Sequence, residues 1–275
     1  MSSADVRFSS PPATEVLQGV FFESPPGFTS SLQGALWAES FRKIFPDTEE
    51  KPPIEETTEW FGVDILRKVG SFQFRVSDKP DAPRIWAKSD NGDRILQLQS
   101  NALITNWLKK KDSSEYIHYE TRKKDFADRI NALQNFFNKE GFGEVQPTSC
   151  LMTYVNHVEV KDIAEVPATA VNIFKFATKR DENSWLPAPD QFSLAISYPM
   201  PHRMGRLHIS ANPALQERAG KDKQPLLRFE LTAKGEPKVK TVEGALAWLN
   251  EGHEWIVQGF VDVTKSAWHK TWGKQ

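Results

Sequence analysis

Apolar and polar residues alternate in several short stretches of this chain, which is the pattern of a β-strand with one buried face. Such stretches are Glu15–Glu23, Phe72–Val76 and Leu151–Val160. Two more flank Asn91-Gly92, and Asn-Gly between alternating runs is among the strongest short-range signals for a β-hairpin. The first part of the chain is therefore predicted to contain several antiparallel strands.

Apolar residues that recur every three or four positions predict the helices. Phe126, Ile130, Leu133 and Phe137 form one such stripe, which predicts a helix from about Tyr119 to Lys139.

A shorter helix is expected from Ser30 or Ser31, either of which would be its N-cap, to the residue before Pro46. The stretch after it, 47–59, is acidic and contains a Pro-Pro pair. Because proline interrupts regular structure, this stretch is predicted to be a loop.

The C-terminal part repeats the order of strands followed by a helix. Alternating runs at 192–200, 206–210 and 226–234 predict strands, and an apolar stripe predicts a final helix over roughly Val242–Lys265. We therefore expect an α+β protein of two similar units, each with antiparallel strands followed by a long helix, forming one extended sheet with helices on one face. The expected divisions are a mobile N-terminal arm (1–13), a first unit (14–160), a connecting segment (161–190) and a second unit (191–275).

Composition narrows the class of protein. The hydrophobic fraction of 39% and the charged fraction of 26% are typical of a globular protein, and a net charge of −1 gives no overall attraction to nucleic acid or membrane. The single cysteine, Cys150, excludes an intramolecular disulfide and fits a reducing compartment. Neither a secretory signal nor an apolar run of roughly 18 residues is evident, so we expect a cytoplasmic protein that does not enter the membrane.

Several segments resemble a sporadically distributed bacterial protein family of about this length, to which no activity is assigned. They are the early Pro-Pro, Phe45-Pro46, the LQLQSNALITNW run at 96–107, Tyr119-Glu120, the TYVN run Thr153–Asn156 and the C-terminal run 249–273. Thr153 is a departure, because the family usually has arginine there. The scattered occurrence of the family is like that of mobile or antiviral-defence genes, so the resemblance implies a defence- or toxin-linked system.

A ligand pocket is one hypothesis for the junction of the two units. Tyr154 and Asn156 point to the same face of their predicted strand, and His253 lies on the stripe of the last helix. Together they suggest a small-ligand or hydrolytic site. The alternatives are an asparagine that satisfies nearby backbone groups and a histidine packed in the core.

A nucleic-acid contact is a second hypothesis. Basic and aromatic residues that suit phosphate contacts and base stacking cluster before and within the long helix; they are Lys109, Lys110, Lys111, Tyr116, Arg122, Lys123 and Lys124. Acidic residues such as Asp112 and Asp125 lie among them, and mixed charge of this kind is typical of a solvated face.

Catalytic signatures are absent from the sequence. The six histidines and the one cysteine show no zinc-ligand spacing, there is no glycine-rich phosphate loop, and Cys150 has no neighbouring base and is expected to be a buried thiol. No cofactor and no metal are therefore expected. The leading hypothesis is a non-enzymatic, protein-binding component or regulator, with a protein partner or a second copy docking on Trp255, Trp268 and Trp272.

Overall fold

The computed structural model describes residues 6–61, 82–110, 116–179, 181, 183–218 and 221–275. The strand predicted at Phe72–Val76 and the candidate Lys111 lie outside the described residues.

The described strands form one open antiparallel sheet in the order β2-β3-β4-β5-β1-β6-β9-β8-β7. They are β1 (Ala13–Phe22), β2 (Asp47–Lys51), β3 (Arg84–Lys88), β4 (Arg94–Gln99), β5 (Ala102–Leu108), β6 (Pro147–Glu159), β7 (Leu194–Pro199), β8 (Arg206–Arg218) and β9 (Lys221–Gly235). The hairpin predicted at Asn91-Gly92 is confirmed as β3–β4, and Gly92 takes the positive φ of 63° that its turn requires.

Five α-helices are described besides the sheet. They are α1 (Ser30–Leu36), which continues into a π-helical turn (Trp37–Phe41), α2 (Tyr119–Lys139), α3 (Val166–Ile173), α4 (Val242–Val263) and α5 (Ser266–Thr271), with 3₁₀ turns at Ile163–Glu165 and Pro201–Arg203. The expected α+β fold with one extended sheet is confirmed. The connection between the two units is the β6–β9 pair, in which residues from Cys150 to Glu159 face residues from Gly235 to Leu226.

Alternation along β1 separates the two faces of the sheet. Val16 and Val20 belong to the main core, which the helices cover, and the ring of Phe22 meets that of Phe137 from α2 edge-on at 5.7 Å. Leu17 and Phe21 point to the opposite face. Among the described residues, that face carries a small apolar cluster and has a different cover.

The cover is an extended segment, residues 52–61, which we name the strap. Its contacts with the sheet are the Ile54 backbone with the Gln99 side chain (both hydrogen bonds 2.9 Å), Glu56 with Thr148 and Ser149 (both 2.7 Å), Thr57 with Lys234, Glu59 with Arg206 (3.4 Å) and His208 (2.9 Å), and the Trp60 carbonyl with Arg206 (2.7 Å). The strap therefore runs from β4 to β8 across the face opposite the helices.

Two local predictions were wrong in instructive ways. The acidic stretch 47–59 is a loop only in part, because Asp47–Lys51 forms strand β2, where Glu49 pairs with Lys51 (2.6 Å) and Lys88 of β3.

Neither Ser30 nor Ser31 is the N-cap of α1. Thr29 occupies that position with an extended backbone and no capping hydrogen bond from its side chain.

The N-terminal arm is held against the C-terminus rather than projecting from the molecule. The backbone N–H groups of Ser9 and Ser10 donate to the carbonyls of Gly273 (3.0 Å) and Trp272 (3.1 Å). The ring of Phe8 meets that of Phe260 edge-on at 5.4 Å. Main-chain hydrogen bonds thus hold residues 6–12 against the residues that follow α5, and ring packing holds them against α4, where the sequence predicted a mobile arm.

Candidate functional site

A cleft of about 670 Å³ opens between the start of α2 and the middle of α4. Strand β6 forms its floor, and the N-terminal segment closes one end. The lining residues are Val6, Arg7, Phe8, Pro11, Ala13, Tyr116, His118, Tyr119, Glu120, Lys123, Tyr154, Asn156, Leu231, Asn250, His253, Glu254, Ile256, Val257, Gln258 and Phe260. The three pocket candidates Tyr154, Asn156 and His253 are therefore in one cleft.

The floor follows from the alternation of β6. Tyr154 and Asn156 are two residues apart, so both side chains point to the face that carries the helices. Both residues are buried, and Asn156 Nδ2 donates to the carbonyl of Phe229 on β9 (3.1 Å). This bond joins the two units at the base of the cleft.

A hydrogen-bonded chain crosses the cleft from α2 to α4. The buried guanidinium of Arg122 donates from Nη2 to the hydroxyl oxygen of Tyr154 (2.7 Å), and that hydroxyl lies 2.9 Å from Nδ1 of His253. Because the Tyr154 oxygen accepts a hydrogen bond from Arg122, we assign the Tyr154 O–H as the donor and His253 Nδ1 as the acceptor of the second hydrogen bond. Burial raises the pKa of Tyr154 well above its ordinary value, although Arg122 opposes this, so the group stays a neutral phenol.

The wall of the cleft is an aromatic stack. The ring of Tyr119 lies parallel to the imidazole of His253, with centroids 3.7 Å apart and planes at 13°. The Tyr119 hydroxyl donates to Oδ1 of Asn250 (2.7 Å), which locks the first turn of α2 to α4. Burial also raises the pKa of Tyr119, and the charge of Glu120 adds to the effect. Tyr119 therefore offers a fixed neutral ring at ordinary pH.

The arrangement can orient a ligand but has a limited chemical repertoire. Its uncharged polar groups are phenols, three amides and two imidazoles, which donate and accept hydrogen bonds beside aromatic faces. In the part of the chain that the structure describes, no group of three or more His, Cys, Asp or Glu side chains could hold a metal ion. Cys150 is fully buried, and burial raises the pKa of its thiol, which disfavours the nucleophilic thiolate.

The nucleic-acid candidates are divided between the interior and the surface. Arg122 is buried, and its described hydrogen bonds go to the Ile117 carbonyl and to the hydroxyls of Tyr116 (3.2 Å) and Tyr154 (2.7 Å). A guanidinium held in this way cannot reach a phosphate, which corrects its assignment as a surface residue. Tyr116 is half-buried, with its ring edge-on to Trp107 at 5.4 Å.

Only the lysines of that set remain available for a charged partner. Lys109, Lys110 and Lys124 are exposed, and Lys123 is half-buried at the edge of the cleft. The hypothesis also requires an aromatic ring for base stacking, and the tyrosine of the set, Tyr116, is half-buried against Trp107.

The C-terminal tryptophans pack into the molecule. Trp272 is buried, and its ring lies 5.0 Å from Phe260 and 5.4 Å from Trp268. Trp255 and Trp268 are half-buried. The expectation of exposed anchors is thus wrong for Trp272, because the short helix α5 folds back and places that ring on the core.

A strongly exposed tryptophan was missed. Trp185 is 94% exposed and lies in the connecting segment beside Leu186, which is 61% exposed. The available signal was a tryptophan in a proline-rich stretch without helical or strand periodicity, which places a large ring outside any predicted core.

Sequence reasoning also missed Tyr119 and Asn250. Asn250 precedes His253 by three positions on α4, so the two side chains share a helix face. That spacing was a usable signal. The position of Tyr119 was not readable, because its partners lie more than a hundred residues away.

Comparison with protein-family models gave no match, and comparison with curated proteins gave none either. The family resemblance of the sequence therefore stays a prediction. Among the described residues, every helix is too short or too polar to cross a membrane.

Proposed function

We propose that this protein binds a small organic molecule in the cleft between α2 and α4. The ligand has a flat ring and several hydrogen-bonding groups. The observation that carries the proposal is the crossing of the cleft by Arg122, Tyr154 and His253, with distances of 2.7 and 2.9 Å. Such a preorganised polar set beside aromatic walls is the usual make-up of a small-molecule site.

Size and lining define the class of ligand. A volume of about 670 Å³ is in the range of pockets that bury a molecule of nucleoside or cofactor-fragment size. Tyr119, Phe8 and Phe260 supply apolar faces for a ring, whereas Asn156 and Asn250 supply amides for its polar edge.

Charge supports a ligand that is neutral or carries a single charge. The charged lining residues of the cleft are Glu120 and Lys123 of α2, Glu254 of α4 and Arg7 of the N-terminal segment, so neither sign dominates. A polyphosphate would meet these carboxylates without a matching cluster of cations. The proposed role of the cleft is binding, without a catalysed reaction.

A ligand screen tests the proposal directly. The probes are nucleosides, free nucleobases, aromatic amino acids and their amides, first by thermal shift and then by titration calorimetry. We expect at least one compound to bind. Replacing Tyr154 by Phe keeps the ring and removes the hydroxyl, so the Kd should rise about tenfold, which corresponds to the loss of about 1.4 kcal/mol.

The matched control is Tyr198→Phe, because Tyr198 is 38% exposed on β7, away from the cleft. It should bind like the wild type. Absence of binding by every probe class, or equal Kd values for wild type and Tyr154→Phe, would contradict the proposal.

A second candidate is the protein-binding role expected from the sequence. The observation in its favour is the adjacent pair Trp185 and Leu186, at 94% and 61% exposure, since exposed neighbouring apolar side chains are typical of contact surfaces. Light scattering over a concentration series tests self-association, and a pull-down from the native host tests for another partner. A monomer at every concentration that recovers no partner would rule this role out. A defence-linked setting is a proposal that rests on the family resemblance alone.

A further inference from the structure

A second and smaller cavity lies between α2 and strands β4 and β5, on the side of Arg122 away from the cleft residues of α4. Its volume is about 30 Å³. Thr105 of β5 and the side chains of Arg94, Arg122 and Arg129 border it, together with a single carboxylate, that of Asp125. Three guanidinium groups around one small space are unusual, because like charges repel.

Among the residues that line the cavity, one carboxylate is set against the three guanidinium groups. Asp125 Oδ2 lies 3.8 Å from Arg94 Nη1 and 3.7 Å from Arg129 Nη2, so one carboxylate is shared at the outer limit of ion-pair distance. Asp93 lies 3.9 Å from Arg94 Nε. The described hydrogen bonds of Arg122 go only to neutral oxygens. Asp128 also acts on Arg129 from outside the cavity, so three guanidinium groups and one carboxylate line the cavity itself.

Donor groups at the cavity also lack acceptors. Nε of Arg94, Arg122 and Arg129 is buried in each case and makes no hydrogen bond to another described residue. Arg129 is only 8% exposed, so its unpaired N–H has no access to bulk water. A buried donor without an acceptor lowers the free energy of unfolding by about 1–3 kcal/mol, and by more when the group is charged. Burial, with a contribution from the charge of Arg94, lowers the pKa of Arg129, although Asp125 and Asp128 oppose the shift.

We propose that this cavity is a binding site for a small monovalent anion of about the size of chloride. An anion there lies among three guanidinium groups and one carboxylate, and the guanidinium N–H groups with the Thr105 hydroxyl are the donors. A water needs about 10–15 Å³ of such space, so about 30 Å³ has room for one small anion. Val16 and Phe45 complete the lining and suit a weakly hydrated ion.

Thermal unfolding in two salts tests the site. Wild-type protein is melted in sodium chloride and in sodium gluconate at the same ionic strength, since gluconate screens charge but is too large to enter. We expect the Tm to be about 2–4 °C higher in about 0.3 M chloride than in gluconate. Equal Tm values in the two salts would overturn the proposal.

Variants assign the effect to the cavity. Arg129→Gln should abolish the difference between the two salts, whatever its own Tm. Arg94→Gln is the second variant should Arg129→Gln fail to fold, because Arg94 is 40% exposed at the side chain. The control is Arg42→Gln on the surface, which should keep the full difference. A difference that survives in both cavity variants would contradict the site.

Crystals grown in sodium bromide give a readout that is independent of stability. An anomalous peak is expected beside Arg94 and Arg129. Water density alone at that position, with no anomalous signal, would overturn the assignment.

Discussion

The hydroxyl groups of Tyr119 and Tyr154 lie where a tyrosinate is strongly disfavoured. Burial raises the pKa of both phenols above the ordinary value of 10.0, and Arg122 offsets only part of this. In the unfolded chain both groups titrate near that ordinary value. A group whose pKa is raised by folding contributes stability below its unfolded pKa and loses it as the pH rises.

We therefore expect an alkaline loss of stability that Tyr154 helps to cause. Above about pH 10 the free energy of unfolding should fall by about 1.4 kcal/mol per pH unit for each of these two phenols. The Tyr154→Phe variant should lose its share of that slope, whereas Tyr198→Phe should keep it. Urea denaturation between about pH 9 and 11 measures the slopes. Identical slopes for wild type and Tyr154→Phe would contradict the burial argument.

The same hydroxyl group is expected to matter at neutral pH. Tyr154→Phe leaves Nη2 of the buried Arg122 without its 2.7 Å acceptor and His253 without its phenol donor. Loss of a buried hydrogen bond of this kind costs about 1–3 kcal/mol. Denaturation in urea at neutral pH checks this, with Tyr198→Phe expected within about 0.5 kcal/mol of the wild type. A Tyr154→Phe variant as stable as the wild type would show that the chain from α2 to α4 contributes little.

At the scale of elements, the strap is attached to the sheet mainly through side chains. Glu59 is its most buried anchor, with a side chain only 14% exposed between Arg206 and His208. Burial alone would raise the pKa of Glu59, but the hydrogen bond to His208 and the charges of His208, Lys234 and Arg206 outweigh it and lower the pKa. Glu59 thus contributes stability that is present above pH 4.5 and is lost as the pH falls further.

Replacing Glu59 by Gln should loosen the strap without unfolding the sheet. The variant keeps the shape and removes the charge, so Arg206 and His208 lose their carboxylate partner. Backbone amides of residues 54–61 should exchange with deuterium about tenfold faster, which corresponds to about 1.4 kcal/mol of local stability. Glu55→Gln, an exposed position in the same segment, is the control. Unchanged exchange in the Glu59 variant would mean that the other contacts suffice to hold the strap.

At the scale of the whole molecule, the two units share one core. Strand β6 of the first unit pairs with β9 of the second, and α4 of the second unit packs on β6. Cys150, Met152 and Tyr154 are buried by that helix. The division near residue 160 therefore separates two parts of one sheet, and each part needs the other to cover its apolar face.

A chain cut at residue 160 should consequently fail to fold on its own. Without β9 and α4, the strand Pro147–Glu159 becomes an edge with an uncovered apolar face. The full chain should unfold in a single transition in which far-ultraviolet circular dichroism and tryptophan fluorescence coincide. A truncated chain 1–160 with its own cooperative transition would contradict the shared core.

Much of the fold was readable because burial leaves a local trace in the sequence. The stripe from Phe126 to Phe137 and the Asn91-Gly92 turn each depend on residues within a few positions of one another. Strand β2 was not readable, since the charged run 47–51 becomes a strand only by pairing with β3. The strap was hidden for the same reason.

The sequence by itself determined the long helices, most of the strands, the apolar face of each, and that one sheet with helices was the outcome. It also suggested Tyr154, Asn156 and His253 as pocket residues. Only the tertiary structure decided that a cleft joins them and that Arg122 lies beneath it rather than on the surface. Tyr154 and His253 are 99 positions apart. A contact over that distance depends on how elements pack, and local periodicity records burial without recording the partner.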